Sequence, residues 1–384
     1  MVAVARADLT GEASGEGPNA VARQSSRKGS TSERRCCDRI SLFSLLNEDE
    51  EKSIMKAIDP KEFGDFDVLK LVDVPEPQLR RHDLLVRNHA TAVNRADLTH
   101  RRGGYGRVDF GDSEIMGLEI AGEVIGIGSE AEGFKLGDRV MGVVGGGGYA
   151  EIARIDYRMA LHIPDALDYV QAAAVPEVFV TAHEAMFHLG RLEPGQSVVI
   201  HAAASGVGTA AVQMAHAVGA KVFATADASK LDRVRALGAD VGIDRNTQDF
   251  AAVIAAETKG SGVDLVIDFI GATYFERNIR SLVDGGRLIQ VGLMGGFANG
   301  TLPMDRLVLG HLQIIGTVMK SRTQSAKQAM AHRFGNRWLQ HFKPDGIMPV
   351  IDSVLPLSRA ADAHRRMESN QNVGKIVLEI VGQI

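Results

Sequence analysis

One stretch of the chain has the residue types needed to hold a chain of phosphates. Ser197-Val-Val-Ile-His-Ala-Ala-Ala-Ser205-Gly206-Val207-Gly208-Thr209-Ala210-Ala211 opens on β-branched apolar residues that read as a buried strand. It then breaks into a run of small residues. Beyond the break, apolar side chains recur at Val207, Ala210, Ala211, Met214 and Val218, which is helical spacing. A strand, a tight turn and a helix leave the free N–H groups of the helix start aimed over the turn, and that arrangement binds a pyrophosphate. Ser205, Gly206 and Gly208 are small enough to let phosphates approach the backbone. The dinucleotide fingerprint G-x-G-x-x-G reads here as Ala203-x-Ser205-x-x-Gly208, with two of its three glycines replaced. The turn is therefore a weak signal by itself, and its weight comes from the elements around it.

After Ser197, strand-like runs alternate with helical ones. The strands are Val198–Ile200, Lys221–Ala226, Val241–Asp244, Val263–Phe269, Arg287–Val291 and Gln313–Gly316, and Leu231–Leu237 is typical of the helical segments between them. This rhythm predicts a doubly wound parallel sheet that binds its ligand beyond the carboxyl ends of the strands. Earlier in the chain the pattern is different. Met55–Ile58, Leu69–Val72, Asp83–His89, Gly117–Gly126, Lys135–Met141 and Gly145–Ile152 are short strand-like runs with frequent glycines, which predict a partly open β-barrel. Tyr169–His188 reads as helical, with Pro176 marking the passage between the two regions. A helix over 324–342, a strand at Pro349–Val354, a helix at Ala360–Met367 and a strand at Asn372–Glu379 follow Lys320. The fold class is α/β.

Composition narrows the function. At 384 residues and 45% apolar, the chain can build two full cores, and a net charge of −5 argues against a nucleic-acid surface. Cys36 and Cys37 are the two cysteines; they are adjacent in a polar segment and make neither a disulfide framework nor a cysteine metal site. No apolar run reaches the roughly 18–20 residues of a membrane span, and a cytoplasmic location is expected. Residues 1–54, rich in Ser, Gly, Arg and Glu, are expected to be a disordered extension or a stretch upstream of a start at Met55. Organelle targeting is the alternative, opposed by Asp8, Glu12, Glu16 and Glu33.

Several phrases together resemble the medium-chain dehydrogenase/reductase superfamily, in its zinc-free quinone oxidoreductase branch, which includes zeta-crystallin and the tumour-suppressor-inducible quinone oxidoreductases. They are Val93-Asn94-Arg95-Ala96-Asp97-Leu98, Arg101-x-Gly103-x-Tyr105, Gly117-Leu-Glu-Ile-Ala-Gly122, Gly137-Asp-Arg-Val140, Gly206-Val-Gly-Thr-Ala-Ala211, Gly292-Leu-Met-Gly-Gly296 and Gly374-Lys-Ile-Val377. The resemblance implies a GroES-like barrel domain of residues 55–178 and 320–384, a Rossmann cofactor domain of residues 179–319, and a homodimer or homotetramer. Zinc-dependent members carry a Cys where this chain has Asn94 and a His where it has Leu118, together with a four-cysteine lobe absent here. No metal is expected, since neither residue is a zinc ligand. His183 and His188, five apart on a helix, share no face and read as packing or surface residues.

By resemblance, Asn94 and Tyr105 are the expected hydrogen-bond donors to a substrate oxygen beside the nicotinamide, with Arg101 a further candidate for the cleft wall. Cofactor contacts are expected at Tyr105, Ser205, Gly206, Val207, Gly208, Thr209 and Ala210 around the turn. Gly292, Leu293 and Met294 follow at the end of a strand, and Asn372, Gly374 and Lys375 in the returning C-terminal segment. The adenosine end is ambiguous. Asp227 closes the second strand, where an acid binds ribose hydroxyls and favours NAD(H), or it caps a helix starting near Ser229. Ser229, Lys230 and Arg245 suit the 2′-phosphate of NADP(H), which the resemblance favours. The expected activity is hydride transfer from NADPH to quinones without zinc. The alternatives are reduction of an enone or enoyl C=C bond on the same scaffold, or a low-turnover nucleotide-binding, redox-responsive protein.

Overall fold

The structure, a computed structural model, describes residues 53–104, 113–298 and 300–380. Tyr105, Cys36, Cys37 and nearly all of the 1–54 segment lie outside the described residues.

Strands β1 (Ile54–Ile58) and β2 (Leu71–Pro75) pair antiparallel as a small sheet. The long strand β3 (Asp83–Val93) leads into helix α1 (Arg95–Arg101), and β4 (Glu119–Ile127), β5 (Arg139–Val143), β6 (Ile152–Asp156) and β7 (Ala160–His162) follow. Leu84 and Val86 of β3 pack with Ile120, Val124 and Val140 from β4 and β5, all nearly fully buried, and this cluster is the barrel core. Gly145–Glu151 is not a strand, contrary to the sequence reading. The glycine run turns as a loop and regular pairing resumes only at Ile152, because glycine gains nothing from side-chain packing in a sheet.

Helices α2 (Tyr169–Ala173) and α3 (Pro176–His183) carry the chain to the second sheet. There β8 (Ser197–Ile200), α4 (Gly206–Ala217), β9 (Lys221–Ala226), α5 (Leu231–Ala236), β10 (Val241–Asp244) and α6 (Phe250–Glu257) come first. They are followed by β11 (Val263–Asp268), α7 (Ala272–Arg280), β12 (Leu282–Gln290), α8 (Met304–Leu309) and β13 (Gln313–Gly316). All pairings are parallel, in the order β10-β9-β8-β11-β12-β13. The direction of winding reverses between β8 and β11, which opens a crevice at their carboxyl ends, where α4 begins. Val198, Ile200, Val222, Ala224, Leu265 and Ile267 are buried against α4 and its neighbours, which is why Val198–Ile200, Val222–Ala224 and Leu265–Ile267 read as unbroken apolar runs.

The chain then returns. Helix α9 (Gln324–Trp338) is followed by β14 (Ile351–Pro356), α10 (Ala360–Glu368) and β15 (Lys375–Glu379), and the barrel sheet runs β14-β15-β3-β4-β5-β7 with β6 also on β3. Where β15 begins, Gly374 bridges to Ser205 and its N–H donates to the Ala204 carbonyl at 2.9 Å, so the two sheets meet at the phosphate-type turn. Gly374 has φ +82, and a Cβ there would lie 2.1 Å from the Val350 carbonyl oxygen, so only glycine passes. Among the described residues no helix is long and apolar enough to cross a membrane.

Candidate active site

A cavity of about 500 Å³ lies at this seam. Its floor is the start of α4. Ser205 is the N-cap, and its Oγ accepts the Gly208 N–H at 3.0 Å. Gly208 lies against the preceding strand end, and a Cβ there would sit 2.4 Å from the Ala202 carbonyl. Ser205, Gly206 and Val207 line the cavity. Gly208, Thr209 and Ala210 lie behind it; Thr209 donates its hydroxyl to the Gly206 carbonyl and Ala210 is fully buried. These three support the turn from behind the wall. The cradle itself fits a pyrophosphate: a twelve-residue helix starts at residues small enough for close backbone approach.

At one end of the cavity, Asp227, Lys230 and Arg245 line the wall. Asp227 occupies the cap position before a short 3₁₀ turn over Ala228–Lys230, yet its carboxylate makes no capping bond. It accepts instead from Arg245 Nε at 2.7 Å and Asn246 Nδ2 at 2.9 Å. Burial alone would raise this carboxyl, but the bonds from Arg245 and Asn246 outweigh it and hold Asp227 below its ordinary range. The Lys230 ammonium reaches the Asn372 carbonyl at 3.0 Å, which ties this end to the returning strand. Ser229 is not on the cavity wall. Asn372, Gly374 and Lys375 line it, as do Gly292 and Met294, whereas Leu293 is 54% exposed and points away.

The other end lies between β3, β4, α3 and β15. Lys375 Nζ donates to Asn94 Oδ1 at 2.6 Å, to Glu119 Oε1 at 2.7 Å and to the Val93 carbonyl at 3.0 Å. Asn94 Nδ2 donates to the same Glu119 oxygen at 2.7 Å and to the Ala92 carbonyl at 3.3 Å. A lysine only donates and a carboxylate only accepts, so the Asn94 amide can face them in one orientation, and all its hydrogens are then engaged. This corrects the sequence expectation: Asn94 lies at the cavity, but it locks Lys375 and Glu119 together and has no free donor for a substrate. Glu119 Oε2 accepts the Glu177 backbone N–H at 2.9 Å, which fixes the start of α3.

A second buried chain sits beneath. Asp97 accepts the Asn94 backbone N–H at 2.8 Å, and burial lifts its carboxyl to about 7, against the pull of that N–H and of Lys375. Tyr149 Oη contacts both Asp97 at 3.4 Å and His364 Nε2 at 3.2 Å. Arg101 approaches His364 Nδ1 at 3.5 Å and pairs with Glu368 at 2.7 Å. Arg101 is fully buried and off the cavity wall, so its expected place in the cleft is also corrected. Its guanidinium is a structural cation under α1. Burial, then Arg101, lowers His364 to about 3, which keeps the imidazole neutral.

Glu177, absent from the sequence reading, is half-buried on the cavity wall beside Thr181. Burial first, then the negative charges of Glu119 and Asp97, push its carboxyl up to about 8 against Lys375 and Lys327. Among the described residues its carboxyl makes no hydrogen bond. In sequence, Pro176-Glu177 reads as an ordinary helix start, a Pro at the first position with an acid in the first turn, so nothing local marked it.

Zinc fits poorly here. Among the described residues no three His, Cys, Asp or Glu side chains converge as a ligand set, the Asn94 amide is engaged, and Leu118 is a buried apolar residue. His183 is buried against Phe187 and Phe334.

Comparison with known proteins places this site in a family. Residues 80–165 match the alcohol dehydrogenase GroES-like domain and residues 206–334 match the domain described as zinc-binding dehydrogenase. Quinone oxidoreductase of Rattus norvegicus is 33% identical over 333 residues, covering 85% of this chain and 98% of that protein. A stretch of 234 residues, 60% of the chain, is 37% identical to the phenolphthiocerol synthesis polyketide synthase Pks15/1 of Mycobacterium marinum, of which it spans only 11%. A mycobacterial protein solved in complex with NADPH superimposes with a TM-score of 0.75 at 28% identity, covering 85% of this chain and 99% of that one. With its barrel, its parallel sheet and the cavity at their seam, this chain is an oxidoreductase of the medium-chain dehydrogenase/reductase superfamily and belongs to its quinone oxidoreductase family.

Proposed function

We propose that the chain is an NADPH-dependent reductase of quinones that works without a metal. The observation that carries the reading is the single cavity joining the α4 cradle and the Asp227–Lys230–Arg245 cluster at one end to the Asn94–Lys375–Glu177 wall at the other. Ser205 to Val207 would hold the pyrophosphate. Lys230 and Arg245 bring two positive charges against the one of Asp227, a balance that suits a 2′-phosphate, and Arg245 engages Asp227 through Nε alone. A bound reduced nicotinamide supplies the hydride. A quinone is already electrophilic, so it needs placement and a hydrogen-bond donor but no Lewis acid. The NADPH complex of the mycobacterial relative and the full-length match to rat quinone oxidoreductase support the coenzyme and the acceptor.

Reduction of a C=C bond conjugated to a carbonyl is the second reading, supported by the polyketide synthase match. One assay tests both: oxidation of NADPH and then NADH, followed at the nicotinamide absorbance, with a naphthoquinone and then an α,β-unsaturated ketone. Quinone turnover with NADPH in excess of NADH is expected. Turnover with the ketone alone supports the second reading, and coenzyme binding without turnover overturns both. Self-association is part of the proposal. Edge strand β13 has an open side, and α8 exposes Met304, Val308 and Leu309 beside it, a pairing edge with apolar cover that suits a second copy. Sedimentation at equilibrium is expected to return a dimer or tetramer.

A further inference from the structure

We infer that Glu177 is the general acid of this site and gives the acceptor the proton that must accompany hydride addition. The inference rests on the reductase reading and deepens it. Lys375 has three donors and all three are engaged, by Val93, Asn94 and Glu119. The Asn94 amide is fully engaged too. Of the polar side chains that share this wall, Arg95, Glu177 and Thr181 are left, and of these three only a carboxylic acid is acidic enough to release a proton near neutral pH.

The surroundings keep that acid protonated. The charges acting on its carboxyl are Glu119 on β4 and Asp97 on α1, which raise it, and Lys375 on β15 and Lys327 on α9, which lower it; the elements packed against α3 also carry Arg139 on β5, Arg333 and Arg337 on α9, His216 on α4, and Glu184 and His188 just beyond α3. Lys375 is tied to Glu119 at 2.7 Å, Arg333 pairs with Glu184 at 2.6 Å, and Arg139 is bound to the Leu167 carbonyl. The pull of Lys375 and Lys327 on the Glu177 carboxyl is outweighed, first by burial and then by the charge of Glu119, and its value stands near 8. That places a proton donor within reach of working pH, as acid catalysis requires.

The step balances. The acceptor takes a hydride from the reduced nicotinamide at one atom. The carboxyl O–H bond of Glu177 breaks, and a new O–H bond forms on the quinone oxygen, or a C–H bond on the carbon next to the carbonyl of an enone. Glu177 is left as a carboxylate, which water at the cavity mouth returns to the acid.

The test is Glu177→Gln beside the wild type. With the unsaturated ketone, kcat is expected to fall roughly 10²-fold or more, while NADPH affinity measured by fluorescence stays within about threefold. The fall of wild-type kcat/KM above about pH 8 is expected to vanish in the variant. A readout independent of turnover uses infrared spectroscopy on the coenzyme-free protein. The carbonyl band of protonated carboxyls should hold a component that titrates away near pH 8, apart from that of Asp97 near 7, and this component should be missing in the variant. An unchanged kcat with a retained alkaline limb, or a Glu177 already ionised at neutral pH, overturns the inference and leaves the reductase reading intact. A wild type that reduces neither acceptor overturns both. If the variant fails to fold, the wild-type infrared titration decides.

Discussion

The two ends of the cavity are built on opposite terms. At the Asn94 end, Lys375 and Glu119 are 3% and 0% exposed in their side chains, and every polar hydrogen of Lys375 and Asn94 has a protein partner. At the Asp227 end, the Asp227–Arg245 pair has side chains 27% and 48% exposed. A buried, closed network fixes geometry and tolerates no lost member, because the partner left behind is a bare charge in a dry interior. A solvated pair contributes little to stability and can be rearranged cheaply. The fold should therefore depend on the first end, and the choice of coenzyme on the second.

The most damaging change is expected at the closed end. Lys375→Met leaves Glu119 buried without its counter-charge and should cost about 3–5 kcal/mol, read as a lower denaturant midpoint. A cost below about 1 kcal/mol would mean that water reaches the network and that the contrast is false. The next effect is expected at Glu177. A folded-state value near 8 against 4.5 unfolded means that the native state holds the extra proton between those pH values. Its stabilising contribution is complete below about pH 4.5 and is lost as pH rises toward 8. Glu177→Gln has no such loss, so its stability relative to wild type should rise by a few kcal/mol over that window, at most about 5, measured as melting temperature against pH. A flat difference would show an ionised or solvated Glu177. The smallest effect belongs to the open end. Asp227→Ser should shift coenzyme preference about tenfold toward NADPH and change stability by less than about 0.5 kcal/mol. An unchanged preference would show that Lys230 and Arg245 alone set it.

What the sequence made legible follows the same division. The strands of the parallel sheet were readable because they are buried on both faces, so Val198–Ile200 and Leu265–Ile267 are apolar without interruption. The Ser205–Gly208 turn was readable because its chemistry is local. The Asn94 end was not, because Glu119 and Lys375 lie 25 and 281 positions away along the chain. The engagement of the Asn94 amide exists only when β3, β4 and β15 are assembled. Glu177 was hidden for the same reason: a helix-start acid becomes a proton donor only through what the fold buries beside it. Asp227 shows a milder form. Its position suggested a cap or a ribose ligand, and its nearest partner is Arg245, reached across from the end of β10.

The bridge between Ser205 and Gly374 sets an order on the making of this protein. Strands β8 to β13 are contiguous in the chain and pair only with one another, so they can assemble while synthesis continues. The barrel sheet must wait, because the Ala90–Val93 stretch of β3 stays open along one side until β15 emerges and pairs Ile376 with Val93. A nascent chain stalled before Gly374 would present an unsealed strand with apolar neighbours to the crowded cell. Strand β15, made after the other strands of its sheet, is also the seal.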